Sequence, residues 1–224
     1  MPTPASPSGP IAFIGGGNMA RSLIGGLLAR GTPAASIRVA EPVDALRDGL
    51  AEDFGAHVFS DNRQAADGAA VWILAVKPQV MRQVCEALAT LAQVERPLIV
   101  SIAAGITTTQ LARWLGGGGP HGGKLYDGVI RIVRCMPNTP ALLGAGVTGL
   151  FANAAVDDAG RAQAETLLSA AGATVWIEDE ARMDAVTAVS GSGPAYVFLL
   201  AEAMEAAAHA EGLSEEAARM LVLQ

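Results

Sequence analysis

Cysteine, histidine and basic residues are scarce in this sequence, and each scarcity removes a class of protein. Cys85 and Cys135 are the only two cysteines, and they stand without C-x-x-C or zinc-ligand spacing. They read as reduced, buried hydrophobes of a cytoplasmic protein rather than a disulfide framework. His57, His121 and His209 are scattered, so no metal site is expected. The 15 Lys and Arg against 22 Asp and Glu leave a formal net charge of −7. That balance argues against nucleic-acid binding, which needs clustered cations on a phosphate backbone. No run suits a membrane span: the uncharged stretches 135–156 and 185–201 are broken by Pro, Gly, Asn, Ser and Thr. MPTPASPSG lacks the basic and apolar regions of a signal peptide, so residues 1–9 read as a flexible tail.

What is abundant is apolar: 51% of residues are hydrophobic and 17% charged, the balance of a folded globular chain. Near the start stands IAFIGGGNMARSLIGGLLARG, residues 11–31. Ile11, Ala12, Phe13 and Ile14 are apolar without alternation, as a strand covered on both faces requires. Ala20, Leu23, Ile24, Leu27 and Leu28 recur at helical spacing, with Asn18 as the expected cap and Gly31 as the stop. Between them the spacing Gly15-x-Gly17-x-x-Ala20 is a G-x-G-x-x-A variant of the dinucleotide fingerprint. Gly15 would make the sharp turn, Gly17 would admit a pyrophosphate, and Ala20 would let helix and strand pack closely. The helix N-terminus would offer its free N–H groups and positive dipole end to phosphates.

Further strands are expected at Ile37 to Ala40, His57 to Phe59, Val71 to Val76, Leu98 to Ile102, Val129 to Cys135, Gly146 to Phe151 and Ala173 to Ile177. Helical patterns lie between most of them, and GGGGPHGG, residues 116–123, reads as a surface loop. Strands alternating with helices define an α/β chain with a Rossmann-type, doubly wound, mainly parallel sheet. From about Glu178 the strand pattern ends and the sequence turns Ala-rich and helical. The expected division is a dinucleotide-binding domain over 10–178 and a small all-α domain over 179–224. Much of the helix through Tyr196, Phe198, Leu199 and Met204 is apolar around its whole circumference, which calls for cover from a second copy.

Several unusual clusters fall after successive strands: GGGNMA, AVKP, SIAAG, MPNTPALLGAGVTGL and, later, DAVTAVSGSGPAYVFLLAEAM. Read in order, they closely resemble the pyrroline-5-carboxylate reductase family, over about Ile11 to Gln224. The resemblance implies reduction of 1-pyrroline-5-carboxylate to L-proline by NADPH or NADH, the last step of proline biosynthesis. It also implies a helical dimerisation domain, a homodimer or larger homo-oligomer, and a site completed across the dimer.

Carried over residue by residue, the resemblance gives the pyrophosphate to Gly15, Gly16, Gly17, Asn18, Met19 and Ala20, and a cofactor contact to Asn62. Ala75, Val76, Lys77 and Pro78 would run beside the nicotinamide half, with Ala103, Ala104 and Gly105 bordering its pocket. Met136, Asn138, Thr139, Ser190 and Ser192 would line the substrate pocket, although the serine-glycine turn also reads as close helix packing. Glu41 stands after the second strand, where an acidic residue binds a ribose 2′-OH; its plainer reading is an exposed loop carboxylate. Ser190-Gly191-Ser192-Gly193 is not a hydrolase elbow, and Lys77 reads as solvated. An imine needs only a hydride on carbon and a proton on nitrogen from water or a hydroxyl, so orientation carries the catalysis. The family's S-P-G-G-T-T-like segment, which holds the substrate carboxylate, has no match here. No catalytic residue is therefore carried over, the donor segment being expected beyond Gln224, and weak substrate binding and dimerisation are expected of this stretch. Two alternatives stay open: another Rossmann reductase of the 3-hydroxyacid dehydrogenase type, and a cofactor-binding module without turnover.

Overall fold

The computed structural model describes residues 9–116 and 130–224. The expected tail over its first eight residues, the glycine loop beyond Gly116, His121 and Val129 lie outside them. Eight strands among the described residues form one sheet: β1 (Ile11–Ile14), β2 (Ile37–Ala40), β3 (His57–Phe59), β4 (Val71–Leu74), β5 (Leu98–Ser101), β6 (Ile132–Met136), β7 (Gly146–Ala152) and β8 (Gly172–Trp176). Their spatial order is β3-β2-β1-β4-β5-β6-β7-β8. The helices are α1 (Asn18–Ala29), α2 (Asp44–Phe54), α3 (Asn62–Ala66), α4 (Pro78–Glu95), α5 (Thr108–Leu115), α6 (Asp158–Leu168), α7 (Met183–Val186), α8 (Gly193–Ala210) and α9 (Glu215–Leu223).

Continuous apolar strands follow from cover on both faces. Ile11 and Phe13 of β1 pack with Ile73, Val100 and Val133 under Leu23, Ile24 and Leu27 of α1 and Leu167 of α6. Ala12 and Ile14 point the other way, with Trp72, Leu74 and Ile99, against Met81, Cys85 and Leu88 of α4 and Leu111 of α5. Neighbouring residues of one strand thus serve opposite cores, and neither face is left to water.

Every neighbouring pair is parallel except β6 with β7. The reason is the connection: only a short turn containing the 3₁₀ segment Thr139–Leu143 joins them. A parallel return needs a crossover of about a dozen residues or more. α6 supplies such a crossover afterwards, and β8 runs parallel to β7.

Beyond β8 the chain is helical. A 3₁₀ turn Glu180–Arg182 leads through α7 into a π-helical turn Thr187–Gly191 and then α8. No residue of α8 is buried, and Tyr196, Val197, Phe198, Leu199 and Leu200 are each at least 61% exposed. The circumferentially apolar helix read from the sequence is therefore uncovered within one chain. Among the described residues no helix is long and apolar enough to cross a membrane.

Trp72 is fully buried in β4, and its indole Nε1–H donates to the Ala66 carbonyl at 3.0 Å. Trp72→Phe removes one of the two donors to that carbonyl, the Ala69 N–H remaining at 3.0 Å, and leaves a void where the larger indole stood. We expect it to lower the unfolding free energy by about 1–3 kcal/mol in chemical denaturation, with parallel denaturation curves; an unchanged midpoint would refute this.

Candidate active site

Strand connectivity reverses direction between β1 and β4, because β2 and β3 lie on one side and β5 and β6 on the other. A crevice opens at such a switch point, beyond the carboxyl ends of the strands. The turns there are sewn together by backbone bonds. Gly15 N–H donates to the Ala40 carbonyl at 2.9 Å, Ala75 N–H to Ile14 at 2.8 Å, and Ile102 N–H to Leu74 at 3.1 Å. Gly15 has φ +104°, and a Cβ there would lie 2.8 Å from the Ala75 oxygen. The turns after β1 and β4 thus touch, which only glycine permits at this position.

Gly17 differs in kind. Its φ of −69° suits any residue, and a Cβ on it would meet no protein atom within 4 Å. Neither backbone strain nor packing demands glycine there, and the open backbone leaves room for a ligand to lie against it. Gly17, not the expected Asn18, occupies the N-cap of α1, and it makes no side-chain capping bond. Asn18 is the first helical residue, its carbonyl accepting from the Ser22 hydroxyl at 2.9 Å. The extended backbone of the glycine turn runs one residue further than a capping Asn would require. The first amides of α1 consequently lack a capping side chain, and no acidic residue sits in its first turn. Such an end attracts an anion. Met19 is half-buried and Ala20 buried, under the turn.

Glu41 is 7% exposed, so its reading as an exposed loop carboxylate is overturned. One oxygen accepts from Gly16 N–H at 3.1 Å and the other from Val43 N–H at 3.0 Å. Backbone donors draw the side chain inward, and the glycine at position 16 leaves room for it. Arg47 of α2 closes the corner, donating to the Glu41 carbonyl at 3.0 Å and to Asp44 at 2.7 Å.

The remaining expected residues ring the same end of the sheet. Asn62 opens α3, which packs on β1 and β2, and Asp61 caps it. Ala75 and Val76 follow β4, with Lys77 exposed at the N-cap of α4 and Pro78 in its first turn. Ala103 is buried after β5, whereas Ala104 and Gly105 face outward. Met136 ends β6, and a Cβ on Gly191 would come within 2.8 Å of its methyl carbon. The serine-glycine turn therefore lies against the β6 end, between Ser190 and Ser192. Some side chains are already committed to the fold: Asn138 Oδ1 accepts from Val147 N–H at 2.9 Å, and the Ser190 hydroxyl donates to the Val186 carbonyl at 2.9 Å. Thr139 is exposed.

Neither cysteine is a nucleophile here. Burial pushes the Cys85 thiol up to about 12 and that of Cys135 upward as well. Among the described residues no cluster of three or more His, Cys, Asp or Glu could hold a metal.

One group escaped the reading of the sequence. Arg134 of β6 is 5% exposed, with its guanidinium 3.5 Å from Glu180 and 3.3 Å from Asp184. Glu180 also accepts from the N–H of Thr108 at 2.7 Å and from its hydroxyl at 2.8 Å. The available signal was an arginine inside an otherwise apolar buried strand, which demands a partner.

Switch-point crevice, glycine turn and open helix N-terminus define a Rossmann-type dinucleotide-binding oxidoreductase. A family described as NADP oxidoreductase, coenzyme F420-dependent, matches residues 10–105, and one described as pyrroline-5-carboxylate reductase dimerisation matches residues 180–224. A pyrroline-5-carboxylate reductase of Pseudomonas aeruginosa is 53% identical over 214 residues, spanning 96% of this chain and 74% of that protein. Among solved structures, the enzyme from Coxiella burnetii superposes with a TM-score of 0.87 at 41% identity, over 97% of this chain and 76% of the other. The Plasmodium falciparum pyrroline carboxylate reductase with NADP bound gives 0.80 at 26% identity, over 98% and 76%. The chain belongs to the pyrroline-5-carboxylate reductase family.

The contrast between the two glycines is testable. Gly17→Ala should leave the thermal unfolding midpoint unchanged and weaken NAD(P)H binding at least tenfold, measured by nucleotide fluorescence. Undiminished binding would show that nothing lies against Gly17.

Proposed function

We infer that this chain reduces 1-pyrroline-5-carboxylate to L-proline with NADPH or NADH, the final step of proline biosynthesis. One observation carries the reading: the MPNTP turn after β6 and the SGSGPAY turn before α8 meet through Met136 and Gly191, at the same end of the sheet as the glycine turn. Two segments 55 residues apart in sequence, each resembling the family's, converge beside a dinucleotide crevice.

In balance, the imine carbon gains a hydride, its nitrogen gains a proton, and NAD(P)H becomes NAD(P)⁺. The bound dinucleotide supplies the hydride; the chain supplies position. Gly15 and Gly16, their N–H groups bonded to the Ala40 carbonyl and Glu41, shape the turn, and the Gly17 and first α1 amides would hold the pyrophosphate, with Asn18, Met19 and Ala20 forming the helix start behind it. Asn62 and the segments Ala75 to Pro78 and Ala103 to Gly105 flank the cofactor. Met136, Asn138, Thr139, Ser190 and Ser192 form the substrate side. Alignment of donor and acceptor at contact distance is worth several orders of magnitude in rate, and an imine needs no strong acid.

Residues 10–178 then act as the dinucleotide-binding unit and 179–224 as the helical unit. A second copy covers the apolar surface of α8, giving a homodimer or larger homo-oligomer. Two buried free thiols and a soluble cofactor suit the cytoplasm. The direct test is NAD(P)H oxidation by the full-length protein in the presence of 1-pyrroline-5-carboxylate, with L-proline identified as product. Absence of proline from a folded, cofactor-binding sample would refute the reading.

Glu41 sets the cofactor preference in this account. Its carboxylate has lone pairs left after serving Gly16 and Val43, enough to accept from a ribose 2′-OH, whereas a 2′-phosphate would meet like charge. NADH should be used at least competitively with NADPH. Glu41→Ser should move the ratio of kcat/KM values toward NADPH, and the ratio is insensitive to stability lost with the two accepted bonds. A strong NADPH preference that the substitution leaves unchanged would defeat this assignment.

A further inference from the structure

A charged side chain buried in a strand must find its counter-charge, and the direction in which Arg134 finds it is informative. Its neighbours in the sheet offer none. Its partners come from the segment just past the last strand: Glu180 in the 3₁₀ turn, and Asp184, itself 85% exposed, in α7. Glu180 has a second attachment, gripping the N–H and hydroxyl of Thr108 with its two oxygens. Thr108 opens α5, whose first amides have no partner within the helix. One carboxylate therefore joins three elements: the sheet, the start of α5 and the entry to the helical region.

Each of those elements carries a wall of the crevice. Thr108 stands three residues beyond Gly105, Arg134 two before Met136, and Glu180 ten before Ser190. The run from Glu180 to Ser190 is helical turn upon helical turn, ending in the π-helical segment. It is pressed to the sheet at two points, Val186 against Gly149 and Gly191 against Met136. π-Helical turns are strained and recur at functional sites, and here one is held by fixed contacts at both ends.

We propose that Glu180, held by Arg134, is a positioning residue: its carboxylate fixes the serine-glycine turn 190–192 relative to the loop 103–105, and so the approach of the substrate ring to the nicotinamide. The proposal rests on the imine reduction inferred above. No proton or hydride passes through the cluster. Its action is geometric, and a misplacement of about 1 Å at the reacting atoms costs roughly 100-fold in rate. Glutamine at position 180 is nearly isosteric but uncharged: its N–H₂ can donate to the Thr108 hydroxyl, while the Thr108 N–H and Arg134 are left facing a neutral and weaker acceptor. Asp184 remains to neutralise Arg134.

The test compares Glu180→Gln and Thr108→Val with Asp157→Ala, which removes the cap of α6 (Asp157 accepts from Gly160 N–H at 2.8 Å) away from the crevice. Four quantities are measured on full-length protein: unfolding midpoint, NAD(P)H dissociation constant, kcat and KM for 1-pyrroline-5-carboxylate, and amide exchange at Thr108. Both cluster variants should bind NAD(P)H within about twofold of the unaltered protein and lose at least tenfold in kcat/KM for the imine. Asp157→Ala should lower the midpoint while keeping kcat/KM within twofold. Exchange at the Thr108 amide should quicken in Glu180→Gln. Retained kcat/KM in Glu180→Gln, a loss matched by Asp157→Ala at equal stability, or unchanged exchange would each overturn the proposal. Should Glu180→Gln not fold, Thr108→Val, which removes one hydroxyl, decides by the same kinetic readouts. If the unaltered protein forms no proline, the reduction itself fails and this role with it; a latch failure shows only as normal kinetics or exchange in the variants of an active protein.

Discussion

The contact between the turns after β1 and β4 is the constraint on which the site depends. Paired in register, Ile14 against Leu74, the two strands end at the same height. Their chains must then diverge, one into α1 and the other toward α4, within the space of a glycine Cα. Gly15 accomplishes this with its backbone against the Ala75 carbonyl. Everything downstream follows geometrically: α1 starts where its amides open onto the crevice, and Gly17 becomes the exposed floor. The segment Ala75 to Pro78 becomes the facing wall.

The parts of this arrangement legible in the sequence are those encoded locally. Apolar runs gave seven of the eight strands within two residues at either end, while the β6 region extends to a residue, Val129, outside those described. Thr107 and Ser214, hydroxyl residues just ahead of helical stretches, accept from backbone N–H groups as helix caps. What stayed hidden lies in pairs remote along the chain. Glu41 and Gly16 are 25 residues apart, and Glu180 and Thr108 are 72 apart. Nothing in either partner's neighbourhood announces the other. The reversed direction of β7 is intermediate: it was implicit in the short β6–β7 connection, yet an apolar strand reads the same in both directions.

The helical region shows the same division between pattern and partner. Its sequence says that much of α8 is apolar all round, and the structure shows that surface uncovered in one chain. A contiguous apolar surface of this kind marks a protein contact. The family match over residues 180–224, described by its dimerisation role, accounts for it. The charged cluster at Glu180 sits at the boundary between this surface and the sheet. The geometry of the crevice and the cover of α8 thus lie along one continuous stretch of chain.

Charge completes the argument. A chain with net charge −7 is asked to hold a dinucleotide diphosphate and a carboxylate substrate, and long-range attraction works against both. Lys77 on the facing wall aside, the described crevice answers with backbone rather than with basic side chains. The first turn of α1 carries no acidic residue and no capping side chain, so its amides face the crevice uncompensated. Glu41, the carboxylate nearest the turn, has its charge spread onto two backbone N–H groups and lies almost wholly out of solvent. Arg134 is paired with two acidic partners in a separate cluster, so its charge is taken up there and does not serve the crevice. Local dipoles at hydrogen-bond distance act in a low-dielectric recess, where screening is weak, whereas the net surface charge acts through water and salt. The near field therefore wins, and an acidic protein can present an anion site without a cluster of cations to advertise it in the sequence.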